Sequence, residues 1–183
     1  MKRPMLLALI TTAIIAGLAT MPARADVIYT YTGNDFTNTF SPYNTNDSIT
    51  GYFTVSQPLG DNLSEESISP LAFSFTDTVD TVTNSDSYSQ EILYISTNAE
   101  GDISGWEISL ILSGSNVRIQ TSDAYGESLD SVADSSGAYG SISSDPGTWA
   151  VSTPEPSAAL LLGTALLGLM CVYRRRKNLH PSQ

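Results

Sequence analysis

The chain has 183 residues, with eight Lys and Arg, 19 Asp and Glu and a formal net charge of −11 at pH 7. Segment 26–153 is more acidic still, because it holds 18 of the acidic residues and only one basic residue, Arg118, which gives it a formal charge of −17. This excess argues against nucleic acid as a partner, since phosphate binding needs Lys and Arg. It favours solubility and contact with cations, basic partners or a hydrated polysaccharide gel.

The first 25 residues have the three parts of a secretory signal peptide. Lys2 and Arg3 precede an apolar stretch, residues 5–18, and Ala23 and Ala25 form an Ala-x-Ala cleavage site. We predict that signal peptidase cleaves after Ala25. The alternative is an uncleaved membrane anchor, which the short apolar stretch and the small residues at the cleavage site disfavour.

Segment 26–152 alternates apolar and polar residues in short runs, which is the period-two pattern of β-strands. Two runs, 27–32 and 92–95, are rich in β-branched and aromatic residues. In the other runs the residues predicted to share one face are Ile49, Phe53 and Val55; Leu71, Phe73 and Phe75; Trp106, Ile108, Leu110 and Leu112; and Val117 and Ile119.

The polar segments between these runs predict turns and loops. Residues 113–116 (Ser-Gly-Ser-Asn) predict a hairpin loop. Residues 122–147 are rich in Ser, Asp and Gly, and we predict two edge-strand pieces or a long mobile loop there. Residues 149–151 predict a last strand or an aromatic contact near a membrane.

Together these patterns predict an all-β fold. Six or seven short strands joined by polar turns indicate an antiparallel β-sandwich, jelly-roll-like, over residues 26–152. Segment 26–153 contains no cysteine, so burial and backbone pairing must hold the domain together without disulfides.

The residues needed for nucleophilic or zinc chemistry lie outside this domain. The single histidine is His180 and the single cysteine is Cys171, so neither a His-based triad nor a His/Cys metal site can form in 26–153. A carboxylate pair could hydrolyse glycosides with Trp106, Trp149 and tyrosines as sugar platforms, but 18 acidic residues produce such pairs by chance. We therefore expect a non-enzymatic domain with no catalytic residues.

Calcium is the one cofactor that the composition suggests, because calcium takes clustered oxygen ligands. The weak candidates are Asp77 and Asp80, whose segment does not follow the D-x-[DN]-x-[DN]-G pattern of a calcium loop. Asp also favours turns through local hydrogen bonds. We weigh that turn role above calcium binding and expect no other metal or cofactor.

The C-terminal part of the chain combines three features. A proline-flanked acid, Pro154-Glu155-Pro156, precedes an uncharged apolar run, 158–173, and four cations, Arg174, Arg175, Arg176 and Lys177, follow it. As a helix the run would span roughly 24 Å, and flanking side chains can extend its reach towards the roughly 30 Å bilayer core. It lacks an amphipathic stripe, so a transmembrane helix is favoured over a buried helix of a soluble domain.

The four cations also predict the orientation of that helix. By the positive-inside rule, cluster 174–177 stays in the cytoplasm as a stop-transfer signal, and the tail 179–183 stays with it. Segment 26–152 then lies outside the cytoplasm, on the side to which the signal peptide directs it.

This tripartite end resembles the PEP-CTERM sorting signal of exported bacterial proteins. The similar residues are Thr153–Ser157, the run 158–173 and the cluster 174–177, which make up a sorting signal over 153–178. Thr153 stands where the family often has Val. The resemblance implies that an exosortase, a membrane-embedded cysteine protease or transpeptidase, recognises Pro154, Glu155 and Pro156 in trans. It also implies a final location at the cell surface or in an extracellular polysaccharide matrix.

We therefore predict an exported, non-enzymatic surface or matrix protein that the C-terminal helix anchors in the membrane until an exosortase-type enzyme processes it. Two alternatives remain open. One is a carbohydrate- or calcium-binding module of the matrix. The other is a single-pass surface protein that stays anchored permanently.

Overall fold

The computed structural model describes residues 26–124 and 126–153, together with residues 163, 166 and 168–170. Residues 26–153 belong to one compact unit, and its regular structure is β. Its strands are β1 (Val27–Thr32), β2 (Asn38–Phe40), β3 (Thr50–Val55), β4 (Glu66–Ser67), β5 (Ala72–Thr76), β6 (Thr81–Thr83), β7 (Tyr88–Thr97), β8 (Ile103–Leu112), β9 (Arg118–Ala124), β10 (Glu127–Ala133), β11 (Tyr139–Ser143) and β12 (Thr148–Ser152).

The strands form two antiparallel sheets that share one core. The smaller sheet has the order β12-β1-β3-β5-β6, and the larger sheet has the order β2-β11-β10-β9-β8-β7-β4. The all-β, sandwich-like fold that the sequence predicts is therefore confirmed. In a jelly roll, Greek-key connections separate many sequence neighbours. Here the five consecutive strands β7 to β11 lie side by side as a meander, an order that hydrophobic alternation alone does not encode.

The first and last strands of the unit are neighbours in the smaller sheet. β1 pairs with β12 in antiparallel register, from Ile28 opposite Ser152 to Thr32 opposite Thr148. On its other side β1 pairs with β3. The beginning of β1 and the end of β12 therefore emerge at the same end of the smaller sheet.

The core consists of the side chains that point inward from alternate strand positions. Phe53, Phe75, Ile108, Leu110 and Ile119 are completely buried, as their period-two patterns predict. Each such burial contributes roughly 1.5–3 kcal/mol relative to an exposed side chain. Leu71 differs from its prediction because it lies before the start of β5 and is exposed.

Aromatic side chains join the two inner faces. Trp149 packs against Tyr31 with ring centroids 5.0 Å apart, against Phe53 at 5.3 Å and against Phe75 at 6.4 Å. Trp106 of the larger sheet meets Trp149 at 6.2 Å and Tyr31 at 5.8 Å, both with T-shaped geometry. Such geometries add to the stabilisation that burial alone provides.

Two predictions about the polar segments have different outcomes. The hairpin loop at 113–116 is confirmed, since it joins β8 to β9 with positive φ angles of 94° at Gly114 and 55° at Asn116. The prediction of edge pieces or a mobile loop at 122–147 is wrong, because β10 and β11 are internal strands of the larger sheet. Their inward positions carry few large apolar side chains, so the pattern of these strands is weak.

The predicted membrane helix, 158–173, lies mostly outside the described residues. Gly163, Leu166 and residues 168–170 are helical, and the large side chains of Leu166, Leu169 and Met170 are exposed. Among the positions that the structure describes, no helix has both the length and the apolar character that crossing a bilayer requires.

Candidate functional site

The residues predicted to direct export and processing fall outside the described residues. They are Ala23 and Ala25 at the signal cleavage site, Pro154, Glu155 and Pro156 of the sorting motif, and Arg174, Arg175, Arg176 and Lys177 of the basic cluster. Their assignments stay predictions. The described chain reaches Thr153, immediately before the motif.

Asp77, one of the two weak calcium candidates, lies in the turn between β5 and β6, where both of its carboxylate oxygens accept hydrogen bonds. Oδ1 accepts from the backbone N–H groups of Val79 (3.0 Å) and Asp80 (2.7 Å). Oδ2 accepts from the phenol of Tyr43 at 2.8 Å. Because Asp77 is completely buried, its carboxylate fixes the turn as the alternative interpretation predicts.

Asp80 is half-buried in the same turn and shares its acidic surroundings. Burial raises the pKa of Asp80, and the negative charges of Asp77 and Asp134 raise it further. Burial also raises the pKa of Tyr43, reinforced by its hydrogen bond to Asp77. Within the described segments no group of three or more His, Cys, Asp or Glu residues could hold a metal ion. Calcium binding by Asp77 and Asp80 stays the weaker alternative to the turn role.

A second buried acid, Asp130, links the two sheets. The phenol of Tyr31, on β1, donates a 2.6 Å hydrogen bond to Asp130 Oδ1, on β10. The same phenol oxygen accepts a 2.6 Å bond from the backbone N–H of Gly147. On β9, opposite Asp130 in register, Thr121 accepts a 2.7 Å bond from Trp106 Nε1. A short polar network therefore crosses the aromatic core.

Burial dominates the electrostatics of this network. It raises the pKa of Asp130 to about 6, against the opposing effect of the hydrogen bond from Tyr31 and of the nearby Thr121 hydroxyl and Gly147 N–H. Burial, followed by the charge of Asp130, also raises the pKa of Tyr31. Asp130 Oδ2 lacks a hydrogen-bond partner among the described residues. Asp130 is 0% exposed, so a substrate has no access to it, and the carboxyl acts as a titratable structural link.

The two tryptophans considered as sugar platforms are part of the core. Trp106 is buried, and Trp149 is half-buried among Tyr31, Phe53 and Phe75. A ring that stacks on a sugar must present an open face, which the packing of these rings prevents. Among the tyrosines, Tyr52 has its side chain outward on β3 and is 41% exposed.

The pairing of Tyr31 with Asp130 was not predicted from the sequence. The alternation along β10 was the available signal. Asp130 lies two residues before the apolar Val132, so the two side chains share one face of the strand. An Asp in a strongly acidic chain is readily taken for a surface residue, and nothing local marks the phenol 99 positions away.

Comparison of the chain with protein-family models, curated proteins and solved structures gives no match.

Proposed function

We propose that this protein is an exported, non-enzymatic component of the cell surface or extracellular matrix and a substrate of an exosortase-type enzyme. The observation that carries the proposal is the tripartite C-terminal sequence, with Pro154-Glu155-Pro156, the apolar run 158–173 and the cluster 174–177. The prolines favour an extended backbone around Glu155, which is the form in which proteases bind their substrates. The chain itself is acted upon.

The boundaries of the β unit support this assignment. β1 begins at Val27, two residues after the proposed signal cleavage, and β12 ends at Ser152, two residues before Pro154. Because β1 and β12 are paired, the start of β1 and the end of β12 lie at the same end of the smaller sheet, and the proposed processing sites are next to these two points in the sequence. Removing both terminal signals would leave every strand of the unit intact.

The apolar run also favours a lipid environment. Its described positions are helical, and Leu166, Leu169 and Met170 are 53%, 66% and 61% exposed. Large apolar side chains at such exposure favour an apolar partner, and the basic cluster at the end of the run favours the headgroup region on the cytoplasmic side. We propose insertion in the membrane before processing, with 26–152 outside.

The test is to produce the full chain in a bacterium that contains an exosortase and to determine the C-terminus of the mature protein. We expect mass spectrometry to show that the native protein has lost the C-terminal residues that follow the motif. The variant Pro154→Ala/Glu155→Gln should keep its complete C-terminus and stay in the membrane fraction. Pro58→Ala/Glu100→Gln, which changes the same residue types in exposed loops, should be processed normally. Unchanged processing of the motif variant would contradict the proposal.

The same measurement separates the permanently anchored alternative. In that case the native protein would keep its complete C-terminus, including His180, in the presence and absence of the enzyme. Export would still occur, because the signal peptide is independent of the sorting motif.

A carbohydrate-binding role is the second candidate, and one specific observation favours it over calcium binding. The outer face of the smaller sheet is covered with hydroxyl groups and carries an exposed tyrosine. Both oxygens of Asp77, by contrast, already accept hydrogen bonds.

A further inference from the structure

Threonines from all five strands of the smaller sheet stand in one row on its outer face. Register places Thr32 opposite both Thr148 and Thr50, Thr50 opposite Thr76, and Thr76 opposite Thr81. With about 4.8 Å between neighbouring strands, the row is about 19 Å long. We call the outer side of this sheet, built on Thr148, Thr32, Thr50, Thr76 and Thr81, the threonine face.

A parallel row brings an aromatic ring to the middle of the threonine face. Thr30 lies opposite Ala150 and Tyr52, Tyr52 lies opposite Ser74, and Ser74 lies opposite Thr83. An open depression of about 350 Å³ lies between these rows, lined among others by Thr30, Thr50, Tyr52 and Ser74. An exposed aromatic surface therefore borders a concave site floored by hydroxyl groups.

The hydroxyls nearest the depression are available to an external partner. In 26–124 and 126–153, Thr76 donates to the carbonyl of Asp80 and Thr54 to that of Ala72, so these two are engaged locally. The hydroxyls of Thr30, Thr32 and Thr50 have no such bond within those segments. Each hydroxyl offers one donor and two acceptor sites.

Charge distinguishes this surface from the rest of the domain. The strand positions that point outward from the smaller sheet carry no charged residue, although the domain as a whole has a formal charge of −17. The outer face of the larger sheet, by contrast, carries Glu107, Arg118 and Glu127. Threonine and tyrosine are both favoured in strands, which accounts for these residue types but not for an uncharged depression beside an exposed ring in so acidic a domain.

We propose that the threonine face binds a neutral polysaccharide, an inference that rests on the matrix role proposed above and names its partner. Sugar hydroxyls pair with threonine hydroxyls as donors and acceptors, and the ring of Tyr52 offers a platform against which a sugar ring stacks. The acidic surroundings repel anionic polymers, and they also repel a second copy of this chain. An uncharged polysaccharide meets neither of these repulsions when it approaches an uncharged face.

The test uses the full chain, purified in a detergent without a sugar headgroup, and measures binding to laminarin, hydroxyethylcellulose and galactomannan by affinity electrophoresis. Alginate is the anionic comparison. At least one neutral polymer should bind, and Tyr52→Ala should weaken that binding about tenfold or more, as the loss of a central aromatic contact does. Phe40→Ala removes an aromatic residue that is 65% exposed on β2 of the other sheet and should bind as the native protein does.

A second pair of variants keeps the test valid if Tyr52→Ala does not fold. Thr30→Glu adds a charge to an exposed position beside Tyr52 and should abolish binding, whereas Ser143→Glu, at an exposed position of β11, should not. Circular dichroism and Tm monitor folding of all four variants.

Three results would overturn the proposal. They are the absence of binding to every neutral polymer, equal binding by the native protein and the threonine-face variants, and dimerisation that Tyr52→Ala abolishes without any polysaccharide binding. The C-terminal mass measurement is independent of this assay, so a failure here leaves the processing proposal to its own test.

Discussion

Tyr31 and Asp130 form a hydrogen bond of 2.6 Å between the two sheets, with the phenol as donor and the carboxyl Oδ1 as acceptor. The bond connects β1, the second strand from the edge of the smaller sheet, to β10 inside the larger one. Both side chains are completely buried, so leaving either one without its hydrogen-bond partner costs more stability than it would at the surface.

Tyr31→Phe should destabilise the domain by about 2–3 kcal/mol at pH 7. The substitution leaves a buried carboxyl without its donor and the N–H of Gly147 without its acceptor. Urea denaturation measures the change in the free energy of unfolding. Tyr94→Phe, on the outer face of the larger sheet, is the matched control and should cost less than about 0.5 kcal/mol. Equal effects of the two substitutions would mean that the buried bond contributes nothing.

The raised pKa of Asp130 predicts a domain that grows more stable in mild acid. The folded pKa of about 6 exceeds the ordinary value of 3.8, so the folded state binds a proton more tightly than the unfolded state. The stabilisation is fully present below pH 3.8 and is lost as pH rises through about 6, which amounts to about 3 kcal/mol.

Lowering the pH also protonates other carboxyl groups. This prediction is therefore tested as the difference in the free energy of unfolding between the native protein and a variant of Asp130. In Asp130→Asn the position cannot ionise, and the stability of the native protein relative to this variant should increase as pH falls from 7 to 4. Urea denaturation across that range supplies the two curves. Parallel curves would show that the titrating group is elsewhere.

Asp77→Ala should destabilise the turn between β5 and β6 by about 2–3 kcal/mol. It leaves the buried phenol of Tyr43 and the two N–H groups of Val79 and Asp80 without their acceptor. Asp77→Asn keeps an acceptor oxygen and should cost less. Because Asp77 is occupied by these donors, we also expect calcium to leave Tm unchanged. A rise in Tm with calcium that Asp77→Asn abolishes would instead support a metal role.

Gly51→Ala should destabilise the smaller sheet by about 1–3 kcal/mol through overpacking. A Cβ at Gly51 would lie 2.2 Å from a ring carbon of Phe75 and 2.7 Å from the carbonyl oxygen of Ser74. Gly105→Ala is the matched control on β8, where the nearest atom would be 3.4 Å away, so it should be neutral or slightly stabilising. Thermal denaturation of both variants decides the point, and similar Tm values would contradict the packing argument.

The part of the fold that was predictable from sequence is the part held by large apolar side chains. Phe53, Phe75, Ile108 and Ile119 alternate with polar neighbours, and their inward orientation follows from that period. β10 and β11 were not predicted as internal strands because their inward positions hold Asp130, Val132, Gly140 and Ile142, so no continuous row of large apolar side chains marks them. Such strands derive their place from pairing with β9 and with each other, and pairing is not local information.

The threonine face illustrates the same limit at the level of a site. Threonines in single strands appear in the sequence as ordinary polar residues of alternating runs. Only the register, which aligns Thr148 with Thr32 and Thr32 with Thr50, shows that they form a row. The proposed processing signals differ from this face, because the order of residues along the chain is what defines them, and they stay a prediction from sequence.

The pairing of β1 with β12 sets the order in which the domain could close if the chain is exported as we propose. During passage through a translocation channel, one side of β1 would stay without a neighbour until residues 148–152 had emerged, and only then could Trp149 close the aromatic cluster. The domain would then complete its fold as the proposed sorting signal reaches the membrane. A cut placed before Thr148 would strip this last strand away, so the proposed processing enzyme would have to act downstream of Ser152 to release a closed sheet.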